Sequence, residues 1–288
     1  MTLEVRGLSA RVRGGGPPVL RAVSLRVEAG EALGLVGESG AGKSMVGRAV
    51  LGILPRAVEV TAGEVFLDGV DLLRLPEAER RARVGRICAL IPQDPLSALN
   101  PSRRVGRQVV DPLVEVLGWD RARAEARARE AFEEVRLPDP GRTLRAYPHE
   151  LSGGQRQRVL IAAAFAASPR LVVADEPTTA LDVTVQRGIV GLIREMQARR
   201  GTALLFVTHD LGIASKVCAR IAVLYAGLVV EESDARAFFR GPVHPYARAL
   251  LEASPRPDAP GALRPVPEAV VRAVRAEAAA FDRTVRHG

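Results

Sequence analysis

Gly37-Glu38-Ser39-Gly40-Ala41-Gly42-Lys43-Ser44 is the stretch that decides the fold of this chain. The apolar run Ala32-Leu33-Gly34-Leu35-Val36 stands directly before it and reads as a strand. Val46, Val50 and Ile53 after it follow helical spacing, which predicts a helix from Lys43 that ends before Pro55. A glycine-rich turn between a strand and a helix is the setting in which this pattern cradles phosphate. Glycines let backbone N–H groups turn inward around the oxygens, and the helix start adds partial positive charge. Lys43 supplies an ammonium for the β- and γ-phosphates of a nucleoside triphosphate, and Ser44 a hydroxyl for Mg2+.

Outward from this loop, Leu3/Val5 and Val23/Leu25/Val27 alternate as short strands, and Val65/Leu67 before Asp68-Gly69 predict a hairpin. Together they predict an antiparallel lobe around the strand that leads into the loop. From about Pro95 to Ala167 the pattern is helical. Val105, Val109, Leu113 and Val116 share a face, Asp120 caps a helix that runs to Val135, and Leu137-Pro138-Asp139-Pro140-Gly141 breaks it. Leu171 to Asp175 and Ala203 to Val207 are unbroken apolar runs, which suit strands buried on both faces of a parallel sheet. Val185, Ile189, Leu192, Ile193 and Met196 mark the helix between them. Ile221 to Tyr225, Ala226-Gly227 and Leu228 to Val230 predict a last hairpin. Pro255, Pro257, Pro260, Pro265 and Pro267 form a loose linker. Val270, Val274, Ala278, Phe281 and Val285 then lie on one face of a weakly amphipathic helix, whose plainest reading is a surface helix.

The chain has 288 residues, 47% of them hydrophobic, enough for a sizeable core. Its longest unbroken apolar run, Val159 to Ala167, is nine residues, well short of the roughly 20 that span a bilayer. Met1 to Arg6 reads as a strand start, not a signal peptide. Two cysteines, Cys88 and Cys218, supply neither a disulfide framework nor a four-cysteine metal site, which points to a reduced, cytoplasmic setting. The net charge of +8 is carried almost wholly by arginine; Lys43 and Lys216 are the two lysines. With 33 acidic residues interleaved and aromatics at 4%, the chain lacks the stacking platforms of a nucleic-acid binder. In a sequence so biased toward arginine, a lysine in the loop marks a place where a compact point charge is required.

Two further stretches carry chemistry. Asp175 and Glu176 end a buried run, where a carboxylate points into the crevice at the C-terminal end of a parallel strand. There Asp175 suits a metal and Glu176 suits a general base for an attacking water. Leu151-Ser152-Gly153-Gly154-Gln155 opens a helix that carries Val159, Leu160 and Ala163. Ser152 caps it, the glycines permit close approach, and Arg156 and Arg158 follow, so this is a second helix start suited to a phosphate.

With these motifs in order, the sequence resembles the ATP-binding cassette (ABC) family from about Leu3 to Leu251. Gly37 to Ser44 matches Walker A, Leu171 to Asp175 matches Walker B, and Leu151 to Gln155 matches the signature motif. The resemblance implies roles for three more residues: Gln93 as the Q-loop residue that reaches the metal, Asp182 in the D-loop Ala180-Leu181-Asp182, and His209 as the switch histidine at the γ-phosphate. It implies an α/β fold with a P-loop NTPase core and a mixed/parallel sheet, an N-terminal antiparallel β lobe and an inserted helical subdomain at about 95–167. The ATPase domain is expected over 1–251 and a C-terminal tail over 252–288. The catalytic set is then Glu176, His209 and Lys43; Ser44, Gln93 and Asp175 hold Mg2+. The signature residues serve ATP held by a second ABC ATPase. Gly37 to Gly40, Gln93 to Pro101 and Gly241-Pro242-Val243-His244-Pro245-Tyr246-Ala247-Arg248 further resemble the oligopeptide/dipeptide/nickel importer branch. That branch implies a peripheral subunit on the cytoplasmic face of the inner membrane. It hydrolyses ATP, docks on permease subunits and is served indirectly by an extracytoplasmic solute-binding protein. A soluble ABC ATPase of DNA repair or translation is the alternative; the coiled-coil insertions, paired cassettes and zinc modules of such proteins are not in this sequence. Two departures stand out. No aromatic lies near Arg11-Val12-Arg13-Gly14 to stack on adenine, which leaves the guanidinium faces of Arg11 or Arg13. The tail has no cysteine, so no iron–sulfur cluster is expected, and the solute stays open between peptides and nickel.

Overall fold

The alternation of the first residues becomes strand β1 (Leu3–Val12), followed by β2 (Pro18–Val27), β3 (Ala32–Val36), helix α1 (Lys43–Val50), β4 (Val58–Leu67) and β5 (Val70–Asp71). Next come α2 (Glu77–Ile87), β6 (Cys88–Ile91), α3 (Pro95–Ala98), α4 (Val105–Glu115), α5 (Arg121–Glu134), α6 (Pro140–Arg145) and α7 (Gly153–Ala166). The chain continues through β7 (Leu171–Asp175), α8 (Val183–Arg200), β8 (Ala203–Thr208), α9 (Leu211–Val217), β9 (Arg220–Tyr225), β10 (Leu228–Asp234), α10 (Ala235–Arg240), α11 (Pro245–Ala253) and α12 (Glu268–His287). The structure is a computed structural model that describes residues 2–179, 181–254 and 265–287, the side chains of 183 and 284–287 excepted. Ala180, the linker prolines 255, 257 and 260, and the side chain of Val285 therefore lie outside the described residues. Two units are distinguished, Met1–Leu75 with Leu205–Gly288, and Pro76–Leu204. Among the described residues no helix is long and apolar enough to cross a membrane.

In the first unit, β2, β1, β4 and β5 form an antiparallel sheet in that order. Leu3 lies opposite Val27 and Leu67, and Val5 opposite Leu25 and Val65. The inward phase slips between Val5 and Leu8, where the β1–β2 register is irregular. A bulge of this kind resets which side chains face the core, so Leu8 and Ala10 are buried in place of their neighbours. Asp68-Gly69 joins β4 to β5 as expected. β3 belongs elsewhere: it runs parallel to β9, from Leu33 opposite Arg220 to Val36 opposite Val223, in a sheet ordered β10-β9-β3-β8. All five of its residues are buried, as its unbroken apolar run implies.

Helix α1 is shorter than its apolar spacing suggests. Val46 and Val50 are wholly buried, but Ile53 lies past the helix end and is 51% exposed. The stop is Gly52, at φ +68. Its N–H bonds to Ala49 O and that of Ile53 to Arg48 O, the paired bonds of a left-handed helix terminus that favours glycine. Val116 departs from the expected face for a similar reason: it caps α4 and is 42% exposed. At the other end of the chain, α12 is more than a surface helix. Val274 and Ala278 are buried and Val270 and Phe281 half-buried, against α11 and β2.

In the second unit, β6 and β7 pair in parallel, Cys88 opposite Leu171 through Ile91 opposite Ala174. From Pro95 to Ala166 the regular elements are helical. Asp120 caps α5 by accepting from Arg123 N, as expected, and Ala124, Ala128 and Ala131 form a fully buried seam against α4 and α7. Small side chains there let the helices approach closely. Phe132, Val135, Ile161 and Phe165 complete this core. Glu134 sits among Arg127 and Arg200, with contacts of 3.1 and 2.6 Å. Burial alone would raise its carboxyl, but the hydrogen bonds and charges of the two arginines hold it below its ordinary value.

Candidate nucleotide site

The phosphate loop leaves β3 at Gly37, whose φ is +153. A Cβ there would stand 2.2 Å from Leu224 O, so only glycine lets the loop pass this close to β9. Lys43 is 4% exposed, and its ammonium donates to Gly37 O at 2.9 Å and Glu38 O at 2.8 Å. Ala41 N also donates to Glu38 O, at 3.2 Å. Ser39 and Gly40 at the tip are exposed, Gly42 and Ser44 half-buried. α1 starts at Lys43, so its first N–H groups face the same loop, and with the ammonium they form a site for an anion.

In the second unit the carboxylates stand where the strand pattern placed them. Asp175 ends β7 and is 6% exposed. Glu176 follows at φ +45, a strained backbone for a residue with a side chain. Its Oε2 accepts from Gln93 Nε2 at 3.3 Å and from Thr179 Oγ1 at 2.9 Å. The β6–β7 register explains the first bond: Ile91 lies opposite Ala174, so two residues further each chain arrives at the same place. Two expected site residues, 83 positions apart, are thus brought together. Thr179 was not anticipated; it sits three residues after Glu176, a spacing that a turn closes through Thr179 N to Glu176 O at 3.1 Å.

Ser152 caps α7 reciprocally: its Oγ accepts from Gln155 N at 3.3 Å, and Gln155 Oε1 accepts from Ser152 N at 2.9 Å. Leu151 anchors this start in the core, while Ser152 and Gly153 are exposed, with open space around Gly153. The two arginines that follow the signature bond within the unit. Arg156 donates to Pro148 O at 2.7 Å and Arg158 to Val135 O at 2.6 Å. Asp182 caps α8 through Thr184 N and Val185 N at 3.0 and 2.9 Å.

His209 is exposed in the first unit, between β8 and the Asp210 cap of α9. Asp210 N donates to Thr208 Oγ1 at 3.0 Å, which stiffens that corner. Arg11 and Arg13 both face Glu59 of β4, at 3.1 and 3.6 Å, and Arg13 Nε donates to Arg56 O. Their guanidiniums are therefore engaged along the β1–β4 edge. The His244-Pro245-Tyr246 element gains a physical meaning. His244 Nδ1 accepts from Tyr246 N at 3.1 Å and caps α11, Pro245 occupies its first turn, and Tyr246 is the first side chain it buries.

The chain is similar to known proteins in sequence and in fold. Residues 20–179 match the profile "ABC transporter", and residues 230–278 match "Oligopeptide/dipeptide transporter, C-terminal region". The chain is 46% identical over 260 residues to a probable peptide ABC transporter ATP-binding protein of Sinorhizobium fredii, covering 88% of this chain and 77% of that protein. It is 45% identical over 233 residues to the dipeptide transport ATP-binding protein DppD of Escherichia coli, covering 81% and 71%. Among solved structures, the dimeric post-hydrolysis state of the ATP-binding cassette MJ0796 bound to ADP and Pi superposes with a TM-score of 0.71 at 28% identity, over 81% of this chain and 99% of that one. A family profile over residues 20–179, a second over 230–278 and relatives at 45–46% identity show that the chain belongs to the ABC transporter family, as an ATP-binding ATPase subunit of its oligopeptide/dipeptide branch.

Proposed function

We propose that this subunit hydrolyses ATP to drive import of short peptides through a separate permease, with Glu176 as the general base. The observation that carries the base role is the Glu176 carboxylate itself, on a left-handed backbone at the end of β7, with Oε2 held by Gln93 and Thr179. A carboxylate whose orientation is fixed in this way suits a general base that takes the proton of an attacking water. Lys43 and the α1 start bind the β- and γ-phosphates, and His209 stabilises charge on the transferring γ-phosphoryl. Ser44, Gln93 and Asp175 offer oxygen donors, the chemistry Mg2+ prefers; the ion would neutralise charge between the phosphates when bound.

Ser152, with Gly153 and Gly154, serves the ATP of a second ABC ATPase, identical or paralogous, so that two composite sites close on two nucleotides. Gly37, Glu38, Ser39, Gly40, Ala41 and Gly42 cradle the phosphates of this chain's own ATP; Leu151 and Gln155 frame the signature helix, and Asp182 lies at the facing edge. The segment at Gln93 relays closure to the permease. The 1–251 ATPase domain carries this chemistry and the 252–288 tail marks the branch. We place the subunit on the cytoplasmic face of the membrane, served indirectly by an extracytoplasmic solute-binding protein. Short peptides are favoured over nickel because the relatives reported above are named for peptides and dipeptides.

Glu176→Gln tests the chemistry. It should bind ATP with unchanged affinity and lower turnover about 100- to 10,000-fold, the weight of a general base. Near-normal hydrolysis removes Glu176 from that role. Identification of the ligand on the co-purified solute-binding protein tests the cargo, and nickel without peptide overturns the peptide reading.

A further inference from the structure

Two chains of contact run from α12 to the phosphate loop, both inside the first unit. In one, Asp282 meets Arg21 of β2 in a two-pronged ion pair, Nε to Oδ1 at 2.8 Å and Nη2 to Oδ2 at 2.9 Å. The side chains are 12% and 26% exposed, so the pair is only partly screened by solvent. Nη1 of the same guanidinium donates to Ala226 O. The backbone carries the link on: Arg21 N donates to Gly227 O and Gly227 N to Ala41 O, each at 2.8 Å. Ala41 is inside the loop.

In the other, Arg275 Nε donates to the Tyr225 hydroxyl at 3.2 Å. The Tyr225 ring meets Tyr246 edge-on, with centroids 4.6 Å apart. Tyr246 is wholly buried, and its hydroxyl lies against Glu38 without a well-aligned hydrogen bond. Burial, and after it the negative charge of Glu38, push this phenol up, so it keeps its proton. A buried hydroxyl without an aligned partner, beside the charge of Glu38, calls for a reason. Glu38 supplies one: its carbonyl holds both the Lys43 ammonium and Ala41 N.

We propose that Tyr246 and the Arg21–Asp282 pair are positioning residues for the nucleotide loop, and that α12 is the brace from which they act. Tyr246 sets the Glu38 peptide that aims Lys43, and Arg21 holds the Ala226-Gly227 turn that supports Ala41. A glycine-rich loop loses much freedom when it wraps phosphate. A loop already held from behind loses less, so the brace strengthens ATP binding without touching ATP. The proposal rests on the ATP-binding role of the loop.

The test uses the full chain, with Mg2+ and ATP as titrant in calorimetry and steady-state hydrolysis alongside. Tyr246→Phe keeps the ring pair and removes only the hydroxyl; Asp282→Asn keeps shape and removes charge. Each should raise Kd for ATP about three- to tenfold, the usual range for residues that act on a site from outside it. KM should rise with it while kcat stays within about twofold, the mark of lost binding rather than lost chemistry. Asp282→Arg should weaken binding too, while Asp282→Glu, which keeps the charge and leaves Arg21 on Ala226 O, should hold affinity near the wild-type value; a general loss of folding would not separate the two. Unchanged Kd in both Tyr246→Phe and Asp282→Asn, even with a lowered Tm, overturns the brace. A wild-type chain that binds no ATP overturns the loop assignment instead.

Discussion

Glu176 adopts a backbone that costs a side-chain-bearing residue about 1–3 kcal/mol. The strain persists because β7 delivers the chain at Asp175, and the turn closed by Thr179 N bends it back at once. Two donors then converge on one carboxylate oxygen, and Thr179 is the shorter contact. On the proposed base role, Thr179→Ala frees the carboxylate to rotate. We expect kcat to fall about ten- to hundredfold, as misplacement of a reacting group does, with KM for ATP unchanged. Thr179→Ser should recover most of the rate. A kcat that does not move in Thr179→Ala would show that the hydroxyl holds the turn and not the base.

Helix ends and helix seams explain most of the elements. Asp94, Asp120, Asp139, Ser152, Asp182, Asp210 and Asp234 each accept from the backbone N–H groups of the helix that follows. Such caps are visible in sequence because they act over three residues. The alanine seam of α5 is different: its depth follows from what α7 presents to it. Glu134, at the end of that helix, ties α5 to α8 through Arg200. Its folded-state carboxyl lies below the unfolded value, so its contribution is complete above the ordinary carboxylate range and is lost as pH falls through the lowered folded value. Glu134→Gln should therefore destabilise by about 0.5–1 kcal/mol near neutral pH, the weight of a charged hydrogen bond discounted for partial solvent screening. Denaturant melts of the two proteins should converge in acid. A gap that persists at low pH would assign the effect to packing.

At the scale of the molecule, the Ser152-Gly153 corner is exposed, and on the proposed function it serves the ATP of a second chain. Ser152→Arg places a bulky charge there while leaving Lys43 and its carbonyl partners untouched. In a dimer of one Ser152→Arg chain with one Lys43→Ala chain, the two defects either share one site or fall on different ones. If the signature acts in trans, both strike the ATP on the Lys43→Ala chain, and the other site stays intact. Such a mixed dimer should keep roughly half of the wild-type rate, provided the two sites turn over independently. Loss of all hydrolysis in the mixture, with each single-mutant partner active beside wild type, would place the signature in cis.

The loop from Gly37 to Ser44, the carboxylates after Leu171 and the signature helix were legible in the chain itself, because each is a local pattern whose spacing states its chemistry. The buried strands were legible for the same reason: unbroken apolar runs admit few other places. The phase slip at Leu8 and the early stop at Gly52 were harder to see, since one residue of bulge or one left-handed φ redirects every side chain beyond it. What only tertiary structure decided are meetings across long separations. Strand register joins Gln93 to Glu176, burial sets the Tyr246 hydroxyl beside Glu38, and α12 returns to place Asp282 on Arg21. No periodicity encodes these contacts; they exist because, within each unit, segments distant in sequence pack together, and the energy that fixes each side chain comes from its neighbours in space.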